Sequence, residues 1–349
     1  MKQVYHFILA ALLVLPLYAA DPEDLPTNPP SGYYDNAETA GKVDNITYGN
    51  NYPARVYMPP GYDENKTYAS MYLMHGMGGS ERSWHDNDLY AHRQLDNLIA
   101  AGRVDGFVLV FTKNDMNNWN FEDILIDELI PYIEEHYSVS KDPEHRALGG
   151  LSMGGMQTIN IGFPNADKFR YLMPCSSAPG VQQERQLFPD DGVMARENLK
   201  LLLFTWGERE IGAYGEQNNT RVMGYCENQG ISEDIIFDYV APGGGHDRNT
   251  WRPSFWNFAQ MAYDRGLTDI EGTSVRKYSA DNFTIVTSVE NVGVFDLRGK
   301  LLKHLTPVGN ALQAGNLAPG SYIIRWQSSS GRYVSRPAIC NGNNRLTIK

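Results

Sequence analysis

The feature that most constrains the fold is the alternation of short apolar runs with amphipathic segments between residues 46 and about 265. The clearest helical pattern is residues 121–137, where Ile and Leu recur at helical spacing and acids occupy the other face. A repeated order of one strand followed by one helix requires parallel strands joined by right-handed crossovers. The sequence therefore predicts an α/β fold, a mostly parallel sheet with helices on both faces, whose first strands form an antiparallel edge. The predicted strands are residues 54–58, 70–74, 107–111, 146–148, 171–174, 199–205 and 235–240.

The two ends of the chain follow other patterns. Lys2, an apolar stretch at residues 7–17 and the small residues Ala19 and Ala20 are typical of a signal peptide. We therefore expect residues 1–20 to direct export to a secreted or cell-surface location, and the apolar stretch is too short for the alternative, a membrane anchor. Residues 21–45, rich in Pro, Asp and Asn, predict an N-terminal arm.

The pattern changes again near residue 268. Residues 268–349 contain short β-type runs separated by Gly, Pro and Asn turns. They predict a small all-β module, a β-sandwich, after the α/β domain of residues 46–267.

Charge and motifs exclude several classes of function. The net charge of −11 disfavours nucleic-acid binding, because phosphate backbones repel an acidic protein. The sequence has no H-E-x-x-H, clustered cysteines or P-loop, so no metal and no cofactor are expected. We expect the mature protein to be a monomer that does not enter the membrane.

Residues 150–154 read Gly-Leu-Ser-Met-Gly, a G-x-S-x-G pattern around Ser152. The glycines suit a strained turn from strand to helix, where a side chain at Gly150 or Gly154 would collide with neighbouring backbone. With 33 glycines in the chain, an ordinary serine in a glycine-rich turn is the alternative. A predicted strand before the pattern and a helix-compatible segment after it favour Ser152 as a nucleophile.

The glycine-rich loop of residues 75–80, His-Gly-Met-Gly-Gly-Ser, directly follows another predicted strand. A tetrahedral intermediate in acyl transfer needs two backbone N–H donors for its oxyanion. We assign these donors to Met77 and Met153. His75, at the end of the strand, is expected to order this loop, and its alternative role as the catalytic base is disfavoured.

His246 is the predicted base, because it lies in a glycine loop after the last predicted strand and an imidazole can accept a proton near neutral pH. The chain order serine, acid, histidine also fits. The acid is expected after the strand of residues 199–205, at Glu210, with Glu208 as the alternative. Asp247 is disfavoured because the side chains of immediate neighbours usually point apart, and Asp238 because it lies within a strand.

Together these stretches resemble the feruloyl esterase and acetyl xylan esterase group of carbohydrate esterases, which are α/β-hydrolases related to esterase D. The resemblance runs from about residue 54 to residue 262 and includes MYLMHGMGGSERSW, RALGGLSMGG and GGGHDRNTW. By this resemblance, Ser152 corresponds to the nucleophile of the family and His246 to its base. The family commonly has an aspartate where this chain has Glu210, a departure at the acid position.

The resemblance implies a secreted serine esterase that hydrolyses hydroxycinnamoyl esters on plant cell-wall polysaccharide. Esterases or acyltransferases acting on acetyl and other short acyl groups are one alternative; a non-catalytic glycan-binding protein is another. Trp84, Trp119 and Trp251 are candidates to stack on the acyl group or a sugar, with interior packing as their competing role. The C-terminal module resembles the sorting tails of gliding-type bacterial secretion systems, with carbohydrate binding as the alternative.

Overall fold

The computed structural model describes residues 25–86, 89–115 and 121–270. Near the C-terminus it describes residues 292–295, 300–305, 312–313, 317–318, 320–327, 333–340 and 345–348. The predicted signal peptide and Trp119 lie outside the described residues.

The central domain is built on an eight-stranded sheet in the order β1-β2-β4-β3-β5-β6-β7-β8. β1 pairs antiparallel with β2, and β2 with β4, whereas all later pairs are parallel. The strands are β1 Lys42–Tyr48, β2 Tyr52–Met58, β3 Ser70–Met74, β4 Val108–Phe111, β5 Arg146–Leu151, β6 Tyr171–Cys175, β7 Leu201–Gly207 and β8 Ile236–Ala241. The helices are α1 Ala91–Ala100, α2 Ile130–His136, α3 Met153–Gly162, α4 Glu184–Leu187, α5 Val193–Asn198, α6 Tyr214–Asn228 and α7 Arg248–Asp264.

Each strand of the sheet sends alternate side chains to opposite faces, which creates two apolar cores. In β3, for example, Tyr72 joins the core that contains Ile133 of α2 and Ile159 of α3. Met71 joins the other core, with Leu95 of α1 and Phe258 of α7. Helices therefore cover both faces, and the predicted α/β-hydrolase fold is confirmed. The antiparallel edge is formed by β1 and β2, whereas β3, which also precedes α1, lies parallel within the sheet, so the expectation that all the first strands form that edge is wrong for β3.

The differences from the sequence prediction are local. The predicted arm is partly wrong, because its last residues belong to β1, which pairs along its whole length with β2. The segment 121–137 is helical as expected, but Ile124–Leu129 forms a π-helix before α2 begins at Ile130. Most side chains of β1 are exposed or only half-buried, so its sequence shows little apolar alternation. For this reason the sequence pattern does not predict β1.

The part of the arm before β1 packs on the last helix of the domain. Leu25 is buried in the core beside α7. The Thr27 N–H donates to Asn257 Oδ1 at 2.8 Å, and Asn257 Nδ2 donates back to the Thr27 carbonyl at 2.9 Å. These residues are therefore a packed part of the domain.

The described C-terminal strands form one antiparallel sheet in the order β10-β9-β12-β13-β14-β11. They are β9 Val292–Phe295, β10 Leu301–Leu305, β11 Leu312–Gln313, β12 Gly320–Gln327, β13 Tyr333–Cys340 and β14 Arg345–Ile348. The all-β character of this module agrees with the sequence pattern, while a second sheet, as in a sandwich, stays a prediction. In the described part of the chain, no helix is both long and apolar enough to cross a bilayer.

Glycine in the first turn of α3 lets this helix pack directly on the backbone of the sheet. A Cβ on Gly154 would lie 2.4 Å from the carbonyl oxygen of Met74, at the end of β3. A Cβ on Gly150, in β5, would lie 2.4 Å from the carbonyl oxygen of Gly154. The predicted collisions with backbone are thus present, and backbone atoms cannot move aside as a flexible side chain can.

We expect Gly154→Ala to lower the free energy of unfolding by about 1–3 kcal/mol, because the added methyl group displaces backbone. The matched control is Gly224→Ala in α6, where an added Cβ has no atom within 4 Å apart from its chain neighbours and its own helix backbone. There the loss of unfolded-state entropy should raise the free energy of unfolding by about 0.4–1 kcal/mol. Urea unfolding of both variants measures the difference, and equal effects would contradict the close packing of α3.

Candidate active site

The predicted site residues meet at the carboxyl edge of the parallel strands. The loop of residues 75–80 follows β3, and Ser152 follows β5. Glu210 follows β7, and His246 follows β8. Open α/β sheets bind ligands outside this edge, so the fold alone brings these residues, distant in sequence, to one place.

Ser152 occupies a strained turn between β5 and α3, with φ 55° and ψ −113°. Its N–H donates to the carbonyl of Cys175 at 2.8 Å, and its own carbonyl accepts from the N–H of Ala178 at 2.9 Å. These bonds tie the turn to the end of β6 and the loop beyond it. The strand–turn–helix context expected of the G-x-S-x-G pattern is therefore present.

His246 links the serine to a buried carboxylate. Its Nε2 lies 2.9 Å from Ser152 Oγ, and its Nδ1 lies 2.7 Å from Glu210 Oε1. An ionised carboxylate only accepts hydrogen bonds, so Nδ1 carries the imidazole proton and Nε2 presents its lone pair to the serine hydroxyl. This is the arrangement in which a histidine accepts a serine proton during nucleophilic attack.

Glu210 is 4% exposed, and its charge is held by three donors. Besides His246, the Ser176 hydroxyl donates to Oε2 at 2.7 Å and the Gly207 N–H donates to it at 2.8 Å. Burial alone would raise the pKa of this carboxyl, but the bonds from His246, Ser176 and Gly207 outweigh it and lower the pKa. Glu210 is therefore held as a carboxylate.

The other nearby carboxylates have structural partners. Glu208 Oε2 accepts from the N–H of Gly243 at 2.7 Å, in the loop that leads to His246. Asp247 caps α7 by accepting from the N–H of Asn249 at 2.8 Å, and it pairs with Arg209 at 3.3 Å. Of the two glutamates considered from sequence, the structure brings Glu210 to His246 and uses Glu208 to hold the histidine loop.

The two candidate oxyanion donors come from the loop after β3 and from the start of α3. Met153 begins α3, where the first backbone N–H groups of a helix have no partner within it. Met77 lies in a turn closed by the Gly79 N–H and the Gly76 carbonyl at 3.0 Å. A Cβ on Gly76 would lie 3.2 Å from Ser152 Cβ, so this loop passes directly over the serine. Both segments lie next to Ser152, and the assignment of the two N–H groups as oxyanion donors stays a prediction.

His75 has the structural surroundings expected of a residue that orders the loop. It is fully buried, with Nδ1 2.7 Å from the carbonyl oxygen of Gly76 and Nε2 accepting from the Asn114 N–H at 3.3 Å. The carbonyl requires a proton on Nδ1 and the N–H requires a lone pair on Nε2, so the ring is neutral. Burial lowers the pKa of His75, which agrees with this state.

The tryptophans differ sharply from one another. Trp84 is 1% exposed and donates its indole N–H to the Met74 carbonyl at 2.9 Å, so its predicted contact with substrate is wrong. It packs against Phe255 below the loop after β3, because a large apolar ring gains more from burial than from the surface. Trp251 is partly exposed and packs edge-on against His246, with ring centroids 5.2 Å apart.

A cleft of about 790 Å³ opens over Ser152 and His246. Its apolar walls include Leu89, Leu151 and Trp251. Polar groups at its rim include Asp247, Arg248 and Asn249. In the described part of the chain, no three His, Cys, Asp or Glu side chains are grouped to hold a metal ion.

Sequence reasoning missed two residues of this site. Ser176, at the end of β6, donates to Glu210 and accepts from the Trp251 indole N–H at 3.1 Å. A polar residue directly after an apolar strand is a signal that could have pointed to it. Tyr214, the first residue of α6, places its hydroxyl 3.2 Å from His246 Nε2, and no pattern in the sequence marks it.

The two glutamates can be separated by their amide variants. We expect Glu210→Gln to lower kcat for a model ester by about 100-fold or more, because the amide no longer holds the charge and tautomer of His246. The control Glu208→Gln should cost at most a few-fold, since an amide oxygen still accepts from Gly243. Steady-state kinetics on both variants tests this, and equal mild effects would remove Glu210 from its role.

The hydrogen bond from Ser176 should appear in the pH dependence of stability. Because the pKa of Glu210 is lowered in the folded protein, its stabilising contribution is present above the ordinary glutamate pKa and is lost as the pH falls through the folded value. Ser176→Ala removes one of its donors and should lower the free energy of unfolding by about 1.5–3 kcal/mol at pH 7. Urea unfolding at pH 7 and pH 4 should show a smaller loss at pH 4, and an equal loss would contradict this account.

Most of the central domain matches a family of known proteins. The Esterase family model, described as "Putative esterase", matches residues 46–260. The endo-1,4-β-xylanase/feruloyl esterase of Xylanibacter ruminicola is 34% identical over 244 residues, which cover 64% of this chain and 31% of that protein. Endo-1,4-β-xylanase Y of Acetivibrio thermocellus is 32% identical over 163 residues, covering 42% of this chain and 15% of that protein. The chain thus spans less than a third of the length of either relative.

A solved structure is similar across the same region. The CE1 ferulic acid esterase of Anaeromyces mucronatus, in complex with ferulic acid, has a TM-score of 0.59 and 25% identity, covering 68% of this chain and 97% of that one. The matched family region contains Ser152, Glu210 and His246. Because the family model covers more than half of the sequence, the chain belongs to the Esterase family.

Proposed function

We propose that this protein is a serine carboxylesterase that hydrolyses hydroxycinnamoyl esters, such as feruloyl esters, of plant cell-wall polysaccharide. The observation that carries the proposal is the continuous line from Ser152 through His246 to the buried carboxylate of Glu210, with distances of 2.9 and 2.7 Å. The relatives named as feruloyl esterases support the choice of substrate.

The proposed reaction is a double displacement. His246 Nε2 takes the proton of Ser152 as Oγ attacks the ester carbonyl carbon, and Glu210 stabilises the resulting imidazolium. The N–H groups of Met77 and Met153 hold the oxyanion, an interaction of about 3 kcal/mol for each donor. Collapse breaks the bond to the alcohol, which takes the proton from Nε2, and water then cleaves the acyl-enzyme by the same steps in reverse.

The cleft supports an aromatic acyl group. Its volume of about 790 Å³ lies in the range of about 300–1,000 Å³ that is typical of sites for drug-sized ligands. Leu89, Leu151 and Trp251 offer apolar walls for a flat ring, whereas an acetyl group would leave most of this space unfilled. Trp251 is the retained candidate for contact with the acyl group.

The location of the proposed substrate agrees with the export predicted from the sequence and with the acidic composition of the protein. Plant cell-wall polysaccharide lies outside the bacterial cell, so the enzyme is proposed to be secreted or held at the cell surface after removal of residues 1–20. Acetylated polysaccharide is the second substrate class to be tested, and a monomeric state remains part of the proposal.

Ser152→Ala tests the chemistry directly. We expect kcat on methyl ferulate to fall by about 10³-fold or more, because no other group can form the acyl-enzyme. The melting temperature should stay close to that of the wild type, since the serine side chain supports little packing. A variant with normal turnover would instead favour the alternative of a non-catalytic glycan-binding protein.

The acyl preference is tested in the same assay. Methyl ferulate, methyl p-coumarate and acetylated xylan are compared by kcat/KM with the wild-type protein. Preference for the hydroxycinnamates supports the proposal, whereas turnover of acetylated xylan alone would replace it with an acetyl esterase.

A further inference from the structure

Tyr214 brings a second hydroxyl to the nitrogen that receives the serine proton. Its oxygen lies 3.2 Å from His246 Nε2, while Ser152 Oγ lies 2.9 Å from the same atom. The phenol ring also packs edge-on against the imidazole, with centroids 5.3 Å apart and planes at 68°. The mechanism above assigns no task to this hydroxyl.

The imidazole cannot satisfy both hydroxyls at once. With its proton on Nδ1, toward Glu210, His246 presents a single in-plane lone pair at Nε2. Ser152 has the shorter contact and takes this lone pair. The Tyr214 O–H is therefore available to donate to another acceptor that arrives beside Nε2.

The leaving oxygen of the ester is such an acceptor. It must come within hydrogen-bond distance of Nε2 to receive the proton, and the Tyr214 oxygen is already within that distance of the same nitrogen. Both oxygens then lie around the same nitrogen at the moment when the acyl–oxygen bond breaks, and a small shift of the exposed Tyr214 side chain brings its hydroxyl to the leaving oxygen. A phenol can donate there because it carries a proton at neutral pH, and partial burial and the charge of Glu210, which raise the pKa of Tyr214, keep it in that state.

The position of Tyr214 is set by the fold. Helix α6 is anchored by Asn218, which donates to the carbonyl of Ser177 at 2.9 Å, and by Asn219, which donates to the carbonyl of Thr205 at 3.0 Å. The cleft walls come from the loops after β3, β5 and β8, whereas Tyr214 follows β7. Tyr214 is 41% exposed, so its hydroxyl is accessible from solvent while it contacts His246.

We propose that Tyr214 is a leaving-group residue, whose hydroxyl donates a hydrogen bond to the alcohol oxygen of the ester as that oxygen departs. The inference rests on the proposed esterase function and deepens it. Collapse of the tetrahedral intermediate breaks the bond between the carbonyl carbon and the alcohol oxygen, and the electron pair stays on that oxygen. His246 supplies the proton, and Tyr214 keeps its own. In deacylation the same hydroxyl orients the attacking water.

The test is Tyr214→Phe, which keeps the ring against His246 and removes only the hydroxyl. We compare kcat/KM for methyl ferulate, whose alkoxide leaves poorly, with kcat/KM for 4-nitrophenyl ferulate, whose leaving group needs little help. The variant should lose about tenfold on the methyl ester and less than about twofold on the nitrophenyl ester. Tyr225→Phe on the same helix, whose hydroxyl contacts Gln183, is the matched control and should change neither value.

Two outcomes would overturn the inference. An equal loss on both esters means that Tyr214 only supports His246, and no loss on either means that its hydroxyl takes no part. Ser152→Ala in the same assay separates the proposed function from this inference, because failure of the esterase mechanism would leave that variant active on both esters. If the wild type prefers acetyl esters, methyl acetate and 4-nitrophenyl acetate give the same comparison, since the leaving oxygens are unchanged.

Discussion

The backbone at Ser152 is the constraint on which the site depends. A non-glycine residue with φ 55° and ψ −113° stores about 1–3 kcal/mol of strain, which the surrounding structure must outweigh. It does so through the bonds to Cys175 and Ala178, and through the close approach of Gly150 to Gly154. The result is a hydroxyl held at the sheet edge and a helix that begins at the next residue, so one turn presents both the candidate nucleophile and a candidate backbone donor.

The second constraint is a buried negative charge. Glu210 would be unstable as an anion at 4% exposure without its three donors, and each comes from a different place. Ser176 stands after β6, Gly207 ends β7 and His246 follows β8. Trp251 extends the chain of contacts, because its indole N–H holds Ser176 while its ring packs on His246. Glu210, His246 and Trp251 are thus joined by hydrogen bonds and a ring contact. The hydrogen bond that stabilises the charge of Glu210 also orients the imidazole ring of His246.

The cleft and the start of α6 both border His246. The cleft is lined by residues of the loops after β3, β5 and β8, and Tyr214 at the start of α6 contacts the imidazole from outside that lining. Glu210 stands where the resembling family commonly has an aspartate. Its longer side chain fits because it folds back in a short 3-10 turn, accepts from the N–H of Gly207 at the end of β7 and reaches His246 from there.

Local pattern in the sequence determined every strand of the central sheet except β1, the helices on both faces and the choice of Ser152 and His246 as candidates, because apolar periodicity and glycine-rich turns act over a few residues. Glu210 was the expected acid and Glu208 the alternative, but no local feature of the sequence distinguishes two acids two positions apart. The tertiary structure decided that choice by giving Glu208 to the Gly243 N–H and Glu210 to His246. It likewise buried Trp84, drew residues 42–45 into β1, and brought Ser176 and Tyr214 to the site. These outcomes depend on contacts between residues that are far apart in the chain. The spacing of residues along a sequence does not give their distances in the folded protein.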